Sequence, residues 1–342
     1  MSTEPSRPDF SDVVYVTSAT SAATSVPSDD PPPSARPPWP RMRLPIILFV
    51  LTCVSVFYAG TQHSPSRSMQ TDVLNGPLDA SNHDPDLSFW ALRLRLFVLE
   101  NWQAGAIYAT AILSILVAHE FGHFLMARRY HIPASLPYFI PMPFSPIGTM
   151  GAVIAMDGRR ADRKQMFDIG LAGPLAGLAV ILPVLAIGIG NLQLVPRESA
   201  LPLDLPLLVR GWLALTHADY RSGMVVTLES ANPFFLAGWV GCVLTGLNMM
   251  PVGQLDGGHV TYSLFGRGAH WIARVVMVAI ILACVFIPAY SHWIVMAGLV
   301  LLIGIHHPPT RDDSVPLGAA RWAIGLASLS LPVLTFAPRL FF

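Results

Sequence analysis

Long apolar runs, separated by short polar or proline-rich connections, dominate the chain. A membrane-spanning helix needs about 20 mainly apolar residues, and seven runs reach or approach that length. They lie at residues 44–60, 104–127, 170–190, 233–250, 271–287, 292–305 and 319–335. The pattern predicts an all-α polytopic membrane protein with about six to seven transmembrane helices.

One segment breaks the helical pattern. Residues 147–156 are punctuated by glycine and rich in β-prone side chains, and they follow the proline-rich stretch 137–146. We interpret the segment as a small β-hairpin or a re-entrant segment. Because unpaired backbone groups cannot face lipid, we expect it to be buried in protein or to line a wet cavity.

Basic residues orient the predicted spans. Arginine and lysine cluster at residues 41–43, 128–129 and 159–164, and the positive-inside rule assigns such clusters to the cytoplasm. The alternation predicts a cytoplasmic N-terminus, an external connection over 191–232, and second and fourth spans that run in the same direction.

The chain divides into four predicted regions. Residues 1–40 are rich in serine, threonine and proline and lack apolar periodicity, which predicts a disordered cytoplasmic tail. We then expect a first transmembrane helix and external loop over 41–103, a functional core over 104–307, and a C-terminal loop with a last transmembrane helix over 308–342.

Composition excludes several classes of protein. Of the 342 residues, 53% are hydrophobic and 12% are charged, against about 25% charged in a soluble domain, which excludes a soluble globular enzyme. The 21 basic and 21 acidic residues balance, so no net basic field attracts nucleic acid. The three cysteines lie inside apolar runs, so a disulfide framework is not expected.

A metal-binding pattern lies near the cytoplasmic end of the second span. The sequence His119-Glu120-Phe121-Gly122-His123 places both imidazoles on one helix face, where they can reach one metal ion with Glu120 beside them. Zinc favours such ligands. Ionisable side chains inside a membrane helix are costly, which favours a functional role for them.

Two histidines leave a metal short of a third protein ligand. Asp256, in the segment 248–258, is expected at the cytoplasmic end of the fourth span and therefore at the depth of the histidines. The alternative is that Asp256 caps or turns a helix before two glycines. The competing candidate ligands are His259, His306, His307 and Asp168.

These motifs resemble those of a known family. His119 to His123 in one span, followed by Asn248-x-x-Pro251-x-x-x-Leu255-Asp256-Gly257 in a later one, is similar to the site-2 protease family of intramembrane zinc metalloproteases. The segment 173–177 resembles the small-residue motif that the family carries between them. The resemblance covers about residues 113–307, is M50-like, and is to the branch without an inserted PDZ domain.

The resemblance implies a set of site residues. His119, His123 and Asp256 would bind one Zn2+ per chain, Glu120 would be the general base, and Asn248 would stabilise the oxyanion. Elementary chemistry agrees, because zinc activates bound water, a carboxylate can accept its proton, and an amide N–H can stabilise an oxyanion. For Asn248, a helix-to-helix hydrogen bond remains the alternative.

The implied function is that of an intramembrane zinc metalloendopeptidase. It would cleave transmembrane-helix substrates near the cytoplasmic face, as in regulated intramembrane proteolysis, with residues 104–307 as the metalloprotease core. Its partners would be a single-span membrane protein substrate and the lipid bilayer, and its location a bacterial inner membrane. The sequence specifies no oligomeric state.

Two other functions remain as alternatives. A zinc-binding, non-proteolytic membrane protein, such as a pseudoprotease or chaperone, would not need Glu120. A metal transporter would need polar groups at several depths, whereas here they cluster at one. The segment 148–156 either holds an extended substrate by β-addition or is a purely structural hairpin, and Gly173 and Gly177 allow the third span to pack closely.

Overall fold

The computed structural model describes residues 42–62, 98–199 and 201–339. The predicted tail over residues 1–40 lies outside these described residues. The helices are α1 (Arg43–Thr61), α2 (Trp102–Arg129), α3 (Arg163–Gly190), α4 (Leu207–Thr216), α5 (Ala218–Arg221), α6 (Pro233–Asn248), α7 (Asp256–Phe265), α8 (Ala269–Phe286), α9 (Ile294–Ile303), α10 (Ala319–Ser328) and α11 (Leu331–Thr335). The strands β1 (Tyr138–Met142) and β2 (Gly148–Val153) form one antiparallel sheet.

Four helical stretches are long and apolar enough to cross a membrane. They are Arg43–Thr61, Trp102–Arg129, Arg163–Gly190 and Asp256–Phe286, and the last of these comprises α7 and α8 with the turn between them. Four shorter apolar helices lie at Leu207–Thr216, Pro233–Asn248, Pro288–Leu302 and Ala319–Thr335. Within the described residues, the predicted count of six to seven spans is therefore not confirmed.

Helix α3 begins well before the predicted residue 170. Its N-cap is Asp162, whose carboxylate accepts a hydrogen bond from the Gln165 backbone at 2.8 Å, while the Gln165 side chain accepts one from the Asp162 backbone at 3.0 Å. This capping box satisfies two of the free N–H groups at the helix start. It extends the helix into the polar region that hydropathy alone assigns to a loop.

Helices α2 and α3 pack closely in antiparallel directions. A Cβ added at Gly122 of α2 would lie 2.5 Å from the Ala172 carbonyl oxygen, and one added at Gly177 of α3 would lie 3.2 Å from Nδ1 of His119. Only glycine allows the two backbones to come this near. These contacts place His119, the first residue of the metal-binding pattern, beside the middle of α3.

Helix α6 packs against α3 in the same antiparallel way. A Cβ at Gly188 would lie 2.5 Å from the Phe235 backbone nitrogen, and one at Gly238 would lie 2.6 Å from Cγ of Leu185. Since both α2 and α6 are antiparallel to α3, they run in the same direction as each other. The predicted direction of the second and fourth spans is confirmed.

The β-hairpin is inserted among the helices. Ser55 Oγ of α1 donates a hydrogen bond to the Gly148 carbonyl at 2.6 Å, and the Tyr108 hydroxyl of α2 donates one to the Ile147 carbonyl at 3.1 Å. These hydroxyls pair two backbone carbonyls of the segment with helix side chains. The expectation that the segment is buried in protein is met in part, because Gly148 is buried whereas Val153 is exposed.

Strand β1 was not expected. It lies inside the proline-rich stretch 137–146, and it pairs Tyr138 with Val153 of β2. The register shifts between Phe139 and Pro141. Proline has no backbone N–H to donate to a neighbouring strand, so within sheets it is found on edge strands and at irregular positions. Strand β1 is an edge strand, and its register is irregular next to Pro141.

The chain turns sharply after α6. Helix α6 ends at Asn248, and Gly253 adopts a φ of +57°, which strongly favours glycine. Helix α7 then begins at Asp256. Asp256 is thus the first residue of the next helix, and it lies just beyond the end of the predicted fourth span.

Candidate metal centre

Two histidines of α2 form one side of the site. His119 and His123 are one turn apart, and their Nε2 atoms lie 3.2 Å from each other. The His119 and His123 side chains are only 7% and 13% exposed. Two imidazole nitrogens thus converge on one point inside the helix bundle.

Asp256 of α7 reaches the same point. Its Oδ2 lies 3.1 Å from Nε2 of His119, and its Oδ1 lies 3.3 Å from Nε2 of His123. The N-cap position of α7 is Leu255, and no side chain caps this helix. The carboxylate therefore faces the histidines rather than capping a helix.

The three side chains match the ligand set of a metal ion. Among the described residues, they form a group of potential ligands whose atoms all lie within 4.8 Å of one another. Ligands 2.0–2.2 Å from a tetrahedral zinc ion are about 3.3–3.6 Å apart, close to the observed 3.1–3.3 Å. Two imidazoles and a carboxylate are also ligands that zinc accepts, so the residues fit the ion.

Backbone groups of α3 orient the ring of His123. Its Nδ1 donates a hydrogen bond to the Ile169 carbonyl at 2.8 Å, which leaves the lone pair on Nε2. A Cβ added at Gly173 would lie 2.0 Å from that Nε2. The small-residue motif predicts close packing at Gly173. The Ile169 carbonyl gives no signal in the sequence, because every residue has a backbone carbonyl.

A cavity of about 190 Å3 lies beside the three ligands. Glu120, only 5% exposed, and Asn248 both line it. The Asn248 side-chain nitrogen lies 3.4 Å from Nε2 of His119. All five residues singled out from the sequence are therefore brought together around one cavity.

Strand β2 forms one wall of this cavity. Ala152 and Val153 line it, as do Ile154 and Met156 just beyond the strand. Val153 is 54% exposed. An extended segment of backbone thus borders the candidate metal centre.

The competing candidate Asp168 has partners elsewhere. Its carboxylate accepts hydrogen bonds from Arg321 at 2.7 and 2.9 Å and from the Tyr130 hydroxyl at 2.5 Å. This pairing ties α10 to α3. Asp168 is outside the ligand group.

The competing histidines also have other partners. Nδ1 of His259 lies 2.6 Å from Nε2 of His307, and the Nε group of Arg274 donates to Nε2 of His306 at 3.2 Å. His259 lines the cavity without joining the ligand group. Proximity in sequence to Asp256 explains why His259 competed with it as a candidate.

An apolar groove of about 400 Å3 lies next to the cavity. Residues from α6, α8 and α9 line it, and Met150 of β2 contributes to its wall. Asn248 and Leu255 border both the groove and the cavity. The two spaces are therefore neighbours that meet at the turn before Asp256.

Comparison with known proteins agrees with this geometry. Residues 107–287, more than half of the chain, match the model of Peptidase family M50. The chain belongs to peptidase family M50. The resemblance drawn from the motifs is confirmed, and the described residues within the matched range hold helices and one two-strand sheet, with no inserted PDZ domain.

Several plant proteins are similar to the chain. It is 31% identical over 304 residues to "Probable zinc metalloprotease EGY1, chloroplastic" of Oryza sativa subsp. japonica. This match covers 86% of the chain and 50% of the relative. It is 34% identical over 240 residues to the protein of that name in Arabidopsis thaliana, covering 67% and 42%. The chain spans half or less of the length of these relatives.

Proposed function

We propose that this M50 protein is an intramembrane zinc metalloendopeptidase that cleaves transmembrane-helix substrates near the cytoplasmic face. The observation that carries the proposal is the convergence of His119, His123 and Asp256 on one point beside a cavity that Glu120 lines. The names of the plant relatives support zinc and proteolysis. Regulated intramembrane proteolysis is the corresponding process.

His119, His123 and Asp256 would hold one zinc ion per chain. Bound there, zinc supplies Lewis-acid chemistry that polarises a peptide carbonyl and makes water more acidic. The carboxylate of Asp256 balances the charge of the ion where water is scarce. The Ile169 carbonyl keeps His123 in the tautomer whose Nε2 is a ligand.

Glu120 and Asn248 would perform the remaining chemistry. Glu120 accepts the proton of the attacking water and passes it to the leaving amide nitrogen. The Asn248 amide, beside the ligand atoms, donates a hydrogen bond to the developing oxyanion. Both residues line the same cavity, which supports their acting on one peptide bond.

The groove and strand β2 would receive the substrate. An apolar transmembrane helix of a single-span protein fits the apolar groove, which meets the metal cavity at Asn248 and Leu255. A helix must unwind before its peptide bonds can be cut, and β2 offers a strand edge to an extended segment. The position of Ala152 and Val153 on the cavity wall supports this pairing.

We also propose that three of the shorter apolar helices, Pro233–Asn248, Pro288–Leu302 and Ala319–Thr335, lie in the membrane with the four longer stretches. This gives six to seven spans with a cytoplasmic N-terminus. The predicted bacterial inner membrane gains no support from the comparisons, because the relatives above are plant proteins named chloroplastic. The described residues contain four helical stretches that are long and apolar enough to cross a membrane.

The test is proteolysis by the purified protein in lipid vesicles. Single-span substrates are incubated with the wild type, with and without a zinc chelator, and the products are identified by mass spectrometry. We expect one cut within the transmembrane segment, lost with chelator and restored by zinc. Zinc binding without cleavage would favour a pseudoprotease, and metal flux into the vesicles would favour a transporter.

A further inference from the structure

Residues 304–307, which we call the brace, pack against the turn that leads to Asp256. The Gly253 backbone N–H donates to the Ile305 carbonyl at 3.2 Å. A Cβ added at Gly253 would lie 2.4 Å from the Gly304 carbonyl oxygen. The backbone of the turn thus lies directly against the backbone of the brace.

A side-chain hydrogen bond makes a further contact between the brace and α7. His259 lies one turn after Asp256, and its Nδ1 is 2.6 Å from Nε2 of His307. Nδ1 of His307 lies 2.5 Å from the Pro308 carbonyl, which can only accept. His307 therefore accepts at Nε2, and His259 donates.

The ring of His307 is held in place on several sides. It is 5% exposed and stacks on the Tyr262 ring with 4.4 Å between centroids. Its own carbonyl accepts from Nε2 of His270 at 3.2 Å. Burial lowers the pKa of His307 to about 3, so the ring is neutral and able to accept at physiological pH.

The brace lies beyond the part of the chain that matches the family, which ends at residue 287. Its contacts reach the first turn of α7, where Asp256 is the first residue. The other two ligands both lie on α2, which packs against α3. Asp256 is thus the ligand whose position depends on a segment outside the matched region.

We propose that the brace is a positioning element of the metal centre, in which His259 and His307 hold Asp256 at ligand distance. This inference rests on the proposed function, since the zinc site is itself proposed. His259 and His307 act through Asp256 and are positioning residues. Loss of such supporting hydrogen bonds weakens metal affinity by about 10- to 100-fold.

The test measures zinc affinity of the purified full-length chain by competition with a chromophoric chelator. We expect His259→Ala and His307→Ala each to weaken zinc binding by about 10- to 100-fold. The double variant should be no weaker than either single variant, because both remove one shared bond. In parallel, the visible spectrum of the cobalt(II)-loaded variants should report an altered ligand geometry.

Three further variants separate the hydrogen bond from packing. His307→Gln keeps an acceptor for His259 and should restore much of the affinity, whereas His307→Phe keeps the stacking on Tyr262 and should not. His306→Ala is the matched control, because that neighbouring ring contacts Arg274 and His270 instead. It should bind zinc as the wild type does.

The outcomes distinguish a failure of the proposed function from a failure of the proposed role of the brace. If the wild type binds no zinc, the proposed function fails. If the wild type binds zinc and both alanine variants bind it equally well with an unchanged cobalt spectrum, the brace has no positioning role. Full affinity in His307→Phe, or an equal loss in His306→Ala, would also overturn the inference.

Discussion

The metal cavity and the apolar groove are built in different ways. Around the cavity, glycine lets backbones and rings come close, as where Gly173 faces Nε2 of His123. The groove is lined by apolar side chains, among them Met150, Met277 and Met296. Ligand chemistry needs a fixed geometry, whereas methionine adapts to irregular apolar surfaces. Under the proposed function, this contrast would give the metal ligands a fixed geometry and the substrate an adaptable surface.

The two regions meet at Asn248 and Leu255. If the account is right, substitutions in the cavity alter metal binding or the chemical step, and substitutions in the groove alter substrate binding alone. Substitutions at Glu120, Gly173 and Ala279 test this separation.

The largest effect is expected for Glu120→Gln. It removes the proton acceptor but no proposed ligand, so cleavage should fall by at least about 10²- to 10⁴-fold while zinc content stays at the wild-type level. Single-turnover cleavage and metal analysis of one preparation measure both. Cleavage near the wild-type rate would show that Glu120 is not the base.

Gly173→Ala should displace the ring of His123 from the side of α3. The new Cβ would lie 2.0 Å from Nε2 of His123, so the ring must move and zinc affinity should drop by about tenfold or more. The matched control is Gly190→Ala on the same helix, where a Cβ would meet none of the described atoms within 4 Å. Equal zinc affinity in the two variants would contradict the assigned geometry.

Ala279→Phe should affect the groove without changing the cavity. Ala279 lines the groove, and a phenyl ring would occupy space that we assign to the substrate helix. We expect KM for a membrane-embedded substrate to rise by about tenfold with zinc content unchanged. Val278→Phe, at a neighbouring position that is 55% exposed and not part of the lining, should leave KM unaltered.

The smallest effect concerns the brace and pH. Burial lowers the pKa of His307 from 6.5 to about 3. The unfolded chain therefore binds this proton at a higher pH than the folded one, and stability present above pH 6.5 is lost as pH falls toward 3. The slope is at most about 1.4 kcal/mol per pH unit. Thermal unfolding at several pH values should show a shallower dependence for His307→Gln, and an identical one would contradict this assignment.

The parts of the site that the sequence predicts are the local ones. The placement of His119 and His123 on one face follows from helix geometry alone. Asp256 could be found from topology, although the turn between α6 and α7, where Gly253 has a positive φ, cannot be located by hydropathy. The Ile169 carbonyl gives no signal, since backbone groups are the same in every residue.

The parts of the fold that the sequence does not predict depend on distant contacts. The early start of α3 depends on a side-chain cap at Asp162. Strand β1 contains Pro141, which argues against a strand until the edge and the irregular register are seen. The brace is packed on a turn about 50 residues earlier, a contact that no local periodicity encodes.

The zinc content of the purified protein tests the central claim most directly. Wild type, His119→Ala and Asp256→Ala are prepared in parallel and analysed for metal per chain. We expect about one zinc per chain in the wild type and its loss in both variants, since two remaining ligands do not hold a tetrahedral site. Full zinc occupancy in Asp256→Ala would contradict the assignment of the third ligand.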